Sequence, residues 1–184
     1  MTEPVASNDT LERRLLNSVV KVAQYTFGAA AASIFLIDPQ TDELIFEAVS
    51  GKGDGHLVGA RFPAHTGIAG WVASSGQSLL VDDLQQSPFD RSAAASTAYV
   101  PASIMAAPLF DADECIGVLE VLDPGTTQTR VMADIDLLGL LADQAAIGLE
   151  LLGRLRAHPA DQRSDRAIRL LDVVESMLAM SSRG

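Results

Sequence analysis

The hydrophobic pattern of the chain changes from a helical period to a two-residue period and back again. Near the N-terminus, apolar residues recur every three or four positions, and Asp9 and Glu12 have the spacing of a capping box. This pattern predicts a flexible segment over residues 1–9 and a helix over 10–27. Its apolar positions form two adjacent stripes, Leu11, Leu15, Val19 and Val22 in one and Leu16, Val20, Ala23 and Phe27 in the other. One stripe is enough to dock a helix on a sheet, so the second predicts contact with another body.

The two-residue period identifies strands in the middle of the chain. Segments 32–37 and 43–49 alternate across the polar turn 38–42, and segments 103–109 and 115–122 do the same across the turn 110–114. Hairpin connections join antiparallel strands. With a short strand at 79–81, the sequence predicts an α+β fold with a central antiparallel sheet of about five to six strands.

A short helix is predicted between the two hairpins. Thr66 is placed to cap it, and an apolar face is expected from Ile68, Trp71 and Val72. Gly76 can supply the left-handed residue that ends it. Gly67 and Gly70 are interpreted as positions where the backbone comes close to the sheet, and the strand 79–81 as buried.

The connection from residue 84 to residue 102 is rich in Ser and Ala and is long for a compact domain. Such connections are typically lids or disordered segments. Asp82 and Asp83 are interpreted as the residues that end the preceding strand and cap this connection.

The C-terminal part returns to the helical period. A long helix is predicted over 132–156, again with two apolar stripes, Ile135, Leu138, Ala142, Ala145, Leu149 and Leu152 in one and Leu137, Leu140, Gln144, Ile147, Leu151 and Leu155 in the other. Two such helices predict a four-helix seam in a homodimer. Pro159 then breaks the chain, and an amphipathic helix over 164–180 can contact a partner protein. The predicted organisation is a domain over 10–156 followed by a linker and helix over 157–184.

Composition limits the classes of function. The 184 residues are 48% hydrophobic and carry a formal net charge of −11, which fits one acidic domain and argues against nucleic acid or an anionic membrane as partner. The N-terminus lacks the pattern of a signal peptide, and no apolar run is long enough to cross a bilayer. A single cysteine excludes an internal disulfide, so a cytoplasmic protein is expected.

The residue types that usually perform catalysis do not converge in the sequence. His56, His65 and His158 lack metal-ligand spacing, and the paired acids are interpreted as strand ends and turns. Strand alternation places Cys115 with Gly117 and Leu119, on the expected helix side, as an inert thiol. Neither a catalytic nor a metal site is predicted.

Five segments resemble one known family, in that family's order. They are A-S-I-F-L-I-D (32–38), G-I-A-G-W-V-A-S-S-G-Q-S-L-L-V-D-D (67–83), S-I-M-A-A-P-L (103–109), I-G-V-L-E-V-L-D (116–123) and L-A-D-Q-A-A-I-G-L-E (141–150). The chain thus resembles a GAF domain, a sensory module. The resemblance implies terminal helices on one face of the sheet, a small-molecule pocket under loops on the other, and dimerisation through those helices.

The resemblance leaves the ligand open. The Asn-Lys…Phe…Asp-Glu signature of the cyclic-nucleotide binders is absent, since asparagine occurs only at positions 8 and 17. Reduction of methionine sulfoxide by a minority of the family uses several cysteines, and this chain has one. The cofactor is therefore left unknown.

Candidate ligand-binding residues follow from strand alternation, from the lid and from the family's Ser-x-Phe face. They are Ser33, Phe35, Phe62, Val81, Asp83, Phe89, Tyr99, Ser103 and Glu120. Ordinary core packing is the alternative for the apolar ones. The sequence predicts a homodimeric sensor that binds a small molecule and acts on a separate partner. The alternatives are a ligand-free interaction module, or a sensor that binds haem through His65 or His56, or that binds bilin.

Overall fold

The computed structural model describes residues 5–52, 56–89, 99–125 and 133–157. The helices are α1 (Val5–Phe27), α2 (Gly67–Ser75) and α3 (Asp134–Ala157). The strands are β1 (Ala31–Asp38), β2 (Glu43–Gly51), β3 (Arg61–Pro63), β4 (Leu79–Val81), β5 (Ile104–Asp111) and β6 (Glu114–Leu122). None of these helices is long and apolar enough to cross a membrane.

The chain divides into two compact units, residues 1–150 and residues 151–184. Of the second unit the structure describes residues 151–157, which are helical. The amphipathic helix predicted over 164–180 lies outside the described residues.

The sheet has six strands in the order β3-β2-β1-β6-β5-β4, and every neighbouring pair is antiparallel. This confirms the predicted α+β class and sheet. Strand β3 was not predicted from the sequence, because three residues are too few to show a period. A buried β4 was predicted, which is wrong: β4 is an edge strand paired with β5 alone, and Leu80 is 45% exposed.

The terminal helices cover one face of the sheet. Leu16, Val20, Ala23 and Phe27 of α1 are buried there with Leu138, Ala142 and Ala145 of α3. The second stripe of each helix remains partly exposed, as Val22 and Ile147 show with 46% and 51% exposure. The packing of one apolar stripe of each helix on the sheet is confirmed, whereas contact of the second stripe with another body stays a prediction.

Helix α1 begins at Val5, so the predicted start at the capping box of Asp9 and Glu12 is wrong. No Gly or Pro lies between Val5 and Asp9, so nothing in the local sequence stops the helix before Asp9.

Helix α2 packs against β5 and β6 on the face of the sheet opposite α1 and α3. Thr66 occupies the N-cap position without a side-chain hydrogen bond, and Gly76 ends the helix with φ +66° while its N–H donates to the carbonyl of Val72 at 2.9 Å. The expected apolar face holds for Ile68 and Val72, but Trp71 is 37% exposed. Ala69 and Gly70 are buried instead.

Candidate functional site

A cavity of about 370 Å³ lies on the face of the sheet that α2 covers. β1, β2 and β6 contribute residues to its wall, as do α2, the chain that follows β2 and the chain around residues 99–101. The wall is mostly apolar, as is typical of small-molecule pockets.

Two polar side chains lie side by side in the cavity wall. Ser33 of β1 and Glu120 of β6 are directly paired across the antiparallel ladder, so their side chains project from the same face. Ser33 is 4% exposed and Glu120 is 8% exposed. No side-chain hydrogen bond or ion pair joins either one to another residue in the described parts of the chain. Burial raises the pKa of Glu120 to about 7.

Three phenylalanine rings pack together in the cavity wall. The ring centroid of Phe35 is 4.3 Å from that of Phe46 and 5.4 Å from that of Phe62. The rings of Phe46 and Phe62 are 5.7 Å apart, and all three pairs are tilted or edge-to-face. This is the usual geometry of packed aromatic side chains, and it forms a continuous apolar wall.

Basic side chains also contribute to the wall, at exposed positions. Lys52, His56 and Arg61 line the cavity. The guanidinium of Arg61 donates to Asp38 at 2.8 Å and to Glu43 at 3.1 Å. Its hydrogen bond to the carboxylate of Asp38 lowers the pKa of that group. The guanidinium of Arg61 is therefore already paired with two carboxylates at the edge of the sheet.

Asp123, just after β6, holds the chain that returns to the sheet after the long connection. Its carboxylate accepts hydrogen bonds from the Tyr99 hydroxyl and from the backbone N–H groups of Ala102 at 2.7 Å and Ser103 at 2.9 Å. Burial alone raises the pKa of Asp123, but these hydrogen bonds outweigh it and lower the net value. The ammonium of Lys52 lies 4.6 Å from the centroid of the Tyr99 ring.

Six of the nine candidate ligand-binding residues line this cavity: Ser33, Phe35, Phe62, Phe89, Tyr99 and Glu120. Val81, Asp83 and Ser103 lie outside the lining. The Asp83 carboxylate accepts hydrogen bonds from the N–H of Gln85 and the amide of Gln86, both at 2.8 Å, and so it shapes the start of the long connection. Residues 90–98 of that connection lie outside the described residues.

Several lining residues were missed by the sequence analysis, notably Phe46 and Val49 of β2. A register shift pairs Ile34 with Ala48 and Phe35 with Phe46, so Glu47 is an extra residue in the strand. Such a bulge interrupts the two-residue alternation, and no turn residue signals it. Phe46 and Val49 therefore face the cavity side while Ala48 packs on the helix side.

A similar shift affects Cys115. The register changes between Leu109 and Phe110, and Ile116 rather than Cys115 packs into the helix-side core. Cys115 is half-buried, does not line the cavity, and has its pKa raised by burial. Among the described residues no group of three or more His, Cys, Asp or Glu side chains can hold a metal ion.

Comparisons with known proteins agree on one family. The family model of the GAF domain matches residues 9–150. Among solved structures, free methionine-R-sulfoxide reductase from Neisseria meningitidis, in complex with its substrate, is 24% identical, with a TM-score of 0.64 over 78% of this chain and 80% of that one. Residues 122 to 287 of a methyl-accepting chemotaxis protein are 22% identical, with a TM-score of 0.68 over 79% and 93%. The GAF-B domain of DevS from Mycobacterium smegmatis is 18% identical, with a TM-score of 0.63 over 79% and 98%.

These structural likenesses establish the fold, and the match over residues 9–150 establishes the family. The chain belongs to the GAF domain family, a family of sensory and regulatory domains of signalling proteins.

Proposed function

We propose that this protein is a sensory domain that binds a small molecule in the cavity beneath α2 and acts without catalysing a reaction. The observation that carries the proposal is the pair Ser33 and Glu120, whose side chains have no partner among the described residues and lie in a largely apolar wall. Buried polar groups are normally hydrogen-bonded, so a pair without partners points to a ligand that supplies them.

A non-catalytic role fits the reactive groups that are present. Some structural neighbours are methionine sulfoxide reductases, but the single thiol of this chain lies outside the cavity wall and burial raises its pKa. A raised pKa disfavours the reactive thiolate, and a lone cysteine cannot form an intrachain disulfide. His65 is exposed and outside the wall, and His56 is the histidine among the described residues that lines it.

The working form of the protein is proposed to be a homodimer through helices 10–27 and 132–156. Apolar residues on the outer faces of α1 and α3 support this. Val22 and Tyr25 of α1 are exposed, as are Leu140 and Ile147 of α3. Two helices from each protomer can then bury these stripes in a four-helix seam.

A connection between cavity and helices runs along β2. The hydroxyl of Ser50 in β2 donates a hydrogen bond to the side-chain carbonyl of Gln24 on α1 at 2.6 Å. Ser50 lies two residues before Lys52, which lines the cavity. A ligand that favours one position of Lys52 can therefore shift the population of α1 positions. The output passes to a separate partner protein, for which the segment 164–180 is the proposed contact.

Native mass spectrometry of the protein purified from its own host tests ligand binding. We expect the folded chain to carry one small molecule that is lost on denaturation. Ala69→Phe, which fills the cavity from α2, should empty it. Ala133→Phe adds the same ring at an exposed position outside the cavity and should leave the bound molecule in place.

An empty wild-type protein would contradict the proposal and favour the second candidate, a ligand-free interaction module. The exposed outer faces of α1 and α3 are the observation in its favour. A visible absorption band in the same sample would instead indicate haem or bilin, and we expect none above the aromatic region.

A further inference from the structure

The buried carboxyl of Glu120 limits what the cavity can bind. The group is 8% exposed and makes no hydrogen bond or ion pair with any residue that the structure describes. An ionised carboxylate is stable in such a place only with a donor or a cation beside it. A ligand with N–H groups can provide both.

The cationic side chains of the described cavity wall do not satisfy this group. Arg61 is bound to Asp38 and Glu43 at the sheet edge, and Lys52 lies over the ring of Tyr99. Lys52, Arg61 and His56, the basic residues in the described part of the wall, are exposed to solvent, where interactions between charges are screened. The buried carboxyl of Glu120 therefore contributes more to ligand selection than the exposed basic side chains do.

The surroundings of Glu120 favour a cation with a hydrocarbon part. Phe35 lies two residues from Ser33 on the same face of β1, and it packs with Phe46 and Phe62. The faces of aromatic rings carry negative potential and attract ammonium groups. The same rings exclude water from an apolar substituent.

We propose that the cavity selects a small organic amine, bound as its ammonium ion. Its N–H groups donate to the carboxylate of Glu120 and to the hydroxyl oxygen of Ser33, and its hydrocarbon part packs against Phe35, Phe46 and Phe62. The inference rests on the proposed ligand-binding function and specifies the chemical class of that ligand.

The test compares three probes of similar shape and different charge by calorimetry and thermal shift. They are 2-phenylethylamine, 2-phenylethanol and phenylacetate. We expect the amine to bind roughly 10- to 100-fold more tightly than the alcohol, because a hydrogen bond to a charged group is the stronger interaction. The carboxylate probe should be the weakest of the three.

Variants test whether Glu120 is the cause. Glu120→Gln keeps the size of the side chain and removes its charge, and it should abolish the preference for the amine over the alcohol. Glu114→Gln, at the exposed start of β6, removes the same charge outside the cavity and should keep the preference. Ser33→Ala should weaken amine binding several-fold without removing the preference.

Failure of this inference and failure of the proposed function give different results. Equal binding of amine and alcohol, an unchanged preference in Glu120→Gln, or a copurified molecule without a basic nitrogen would overturn the amine inference and leave ligand sensing intact. A wild-type protein that carries no molecule and responds to none of the probes would count against both.

Discussion

Glu120 is the residue at which folding and binding conflict. It lies in the middle of the sheet between β1 and β5, and burial raises its pKa from the usual 4.5 to about 7. In the empty cavity at acid pH the group is neutral. Above pH 7 the folded protein must hold a buried charge, unless a ligand neutralises it.

This conflict predicts a pH dependence of stability. The folded state keeps the Glu120 proton up to about pH 7, whereas the unfolded chain releases it near 4.5. The stability that the raised pKa provides is full below pH 4.5 and is lost as the pH rises to 7. We therefore expect Glu120→Gln to gain stability relative to wild type, by roughly 2–3 kcal/mol, between pH 5 and pH 8.

Urea unfolding of both proteins at the two pH values measures this effect. Because both proteins are compared at each pH, every contribution to the unfolding free energy that they share cancels. A difference in unfolding free energy that is the same at pH 5 and pH 8 would show that the carboxyl does not titrate in this range.

For single residues, the sequence correctly predicts the side of the sheet wherever the apolar-polar alternation of a strand is regular. Strand alternation puts Ser33 and Phe35 on one face of β1, the family resemblance makes that face the pocket side, and both line the cavity together with Glu120. Phe46 and Val49 were missed because the extra residue Glu47 reverses the parity within β2. A bulge depends on the pairing of two distant strands, so the local pattern does not reveal it.

Among the elements, α2 depends most on one glycine. A Cβ atom on Gly70 would lie 2.5 Å from the carbonyl carbon of His65 and 2.7 Å from the carbonyl oxygen of Ala64. From the sequence, Gly70 was expected to lie close to the sheet. Its close contact is instead with the backbone of the turn that precedes the helix. That turn and the first residues of α2 form part of the cavity wall.

Gly70→Ala should therefore push α2 away from this turn and destabilise the fold by roughly 1–3 kcal/mol, since backbone atoms cannot move aside cheaply. The matched control is Gly139→Ala in α3, where no atom lies within 4 Å of the added methyl group. This control should be neutral or stabilising by up to about 1 kcal/mol. Chemical denaturation of the two variants gives the comparison, and equal effects would contradict the assigned role of Gly70.

The outer side of α2 carries an optical probe of the cavity. Trp71 is the single tryptophan of the chain, and its ring lies 6.2 Å from that of Phe89, which lines the cavity. A ligand that moves Phe89 should change the exposure of Trp71 and shift its fluorescence emission. Phe89→Ala should shift the emission to longer wavelength without ligand, because the indole gains contact with water.

Titration with 2-phenylethylamine provides the measurement, and 2-phenylethanol is the matched comparison. An emission spectrum that remains the same in wild type and Phe89→Ala would contradict the contact between α2 and the long connection. The bounds of the four hairpin strands were predicted to within two residues, whereas β3 and the edge position of β4 could not be read from three residues each.

For the whole molecule, the open question is what covers the outer helix faces. The two-stripe pattern was visible in the sequence because it extends over many turns, and burial confirms that one stripe of each helix packs on the sheet. The partner of the other stripe is a property of the assembly, which a single chain does not specify. The homodimer remains a proposal.

Ile147→Lys tests the seam. Ile147 is 51% exposed, so the substitution should leave the fold of one protomer intact while it places a charge in the proposed interface. Light scattering after size exclusion should give a dimer for wild type and a monomer for the variant. Leu80→Lys, on the 45% exposed residue of β4, is the matched control and should stay dimeric. Dimers of Ile147→Lys would place the interface elsewhere.

The backbone joint between Leu84 and Ala102 has a consequence for diversification. The N–H of Leu84 donates to the carbonyl of Ala102 at 2.8 Å, so the chain leaves the sheet and comes back at neighbouring points. Asp123 anchors the returning end. Because loop closure depends only weakly on length, residues between these anchors can be exchanged, shortened or extended while the strands keep their register. We therefore expect substitutions and length changes in this stretch to alter which ligands the cavity selects while the pairing of the strands stays the same.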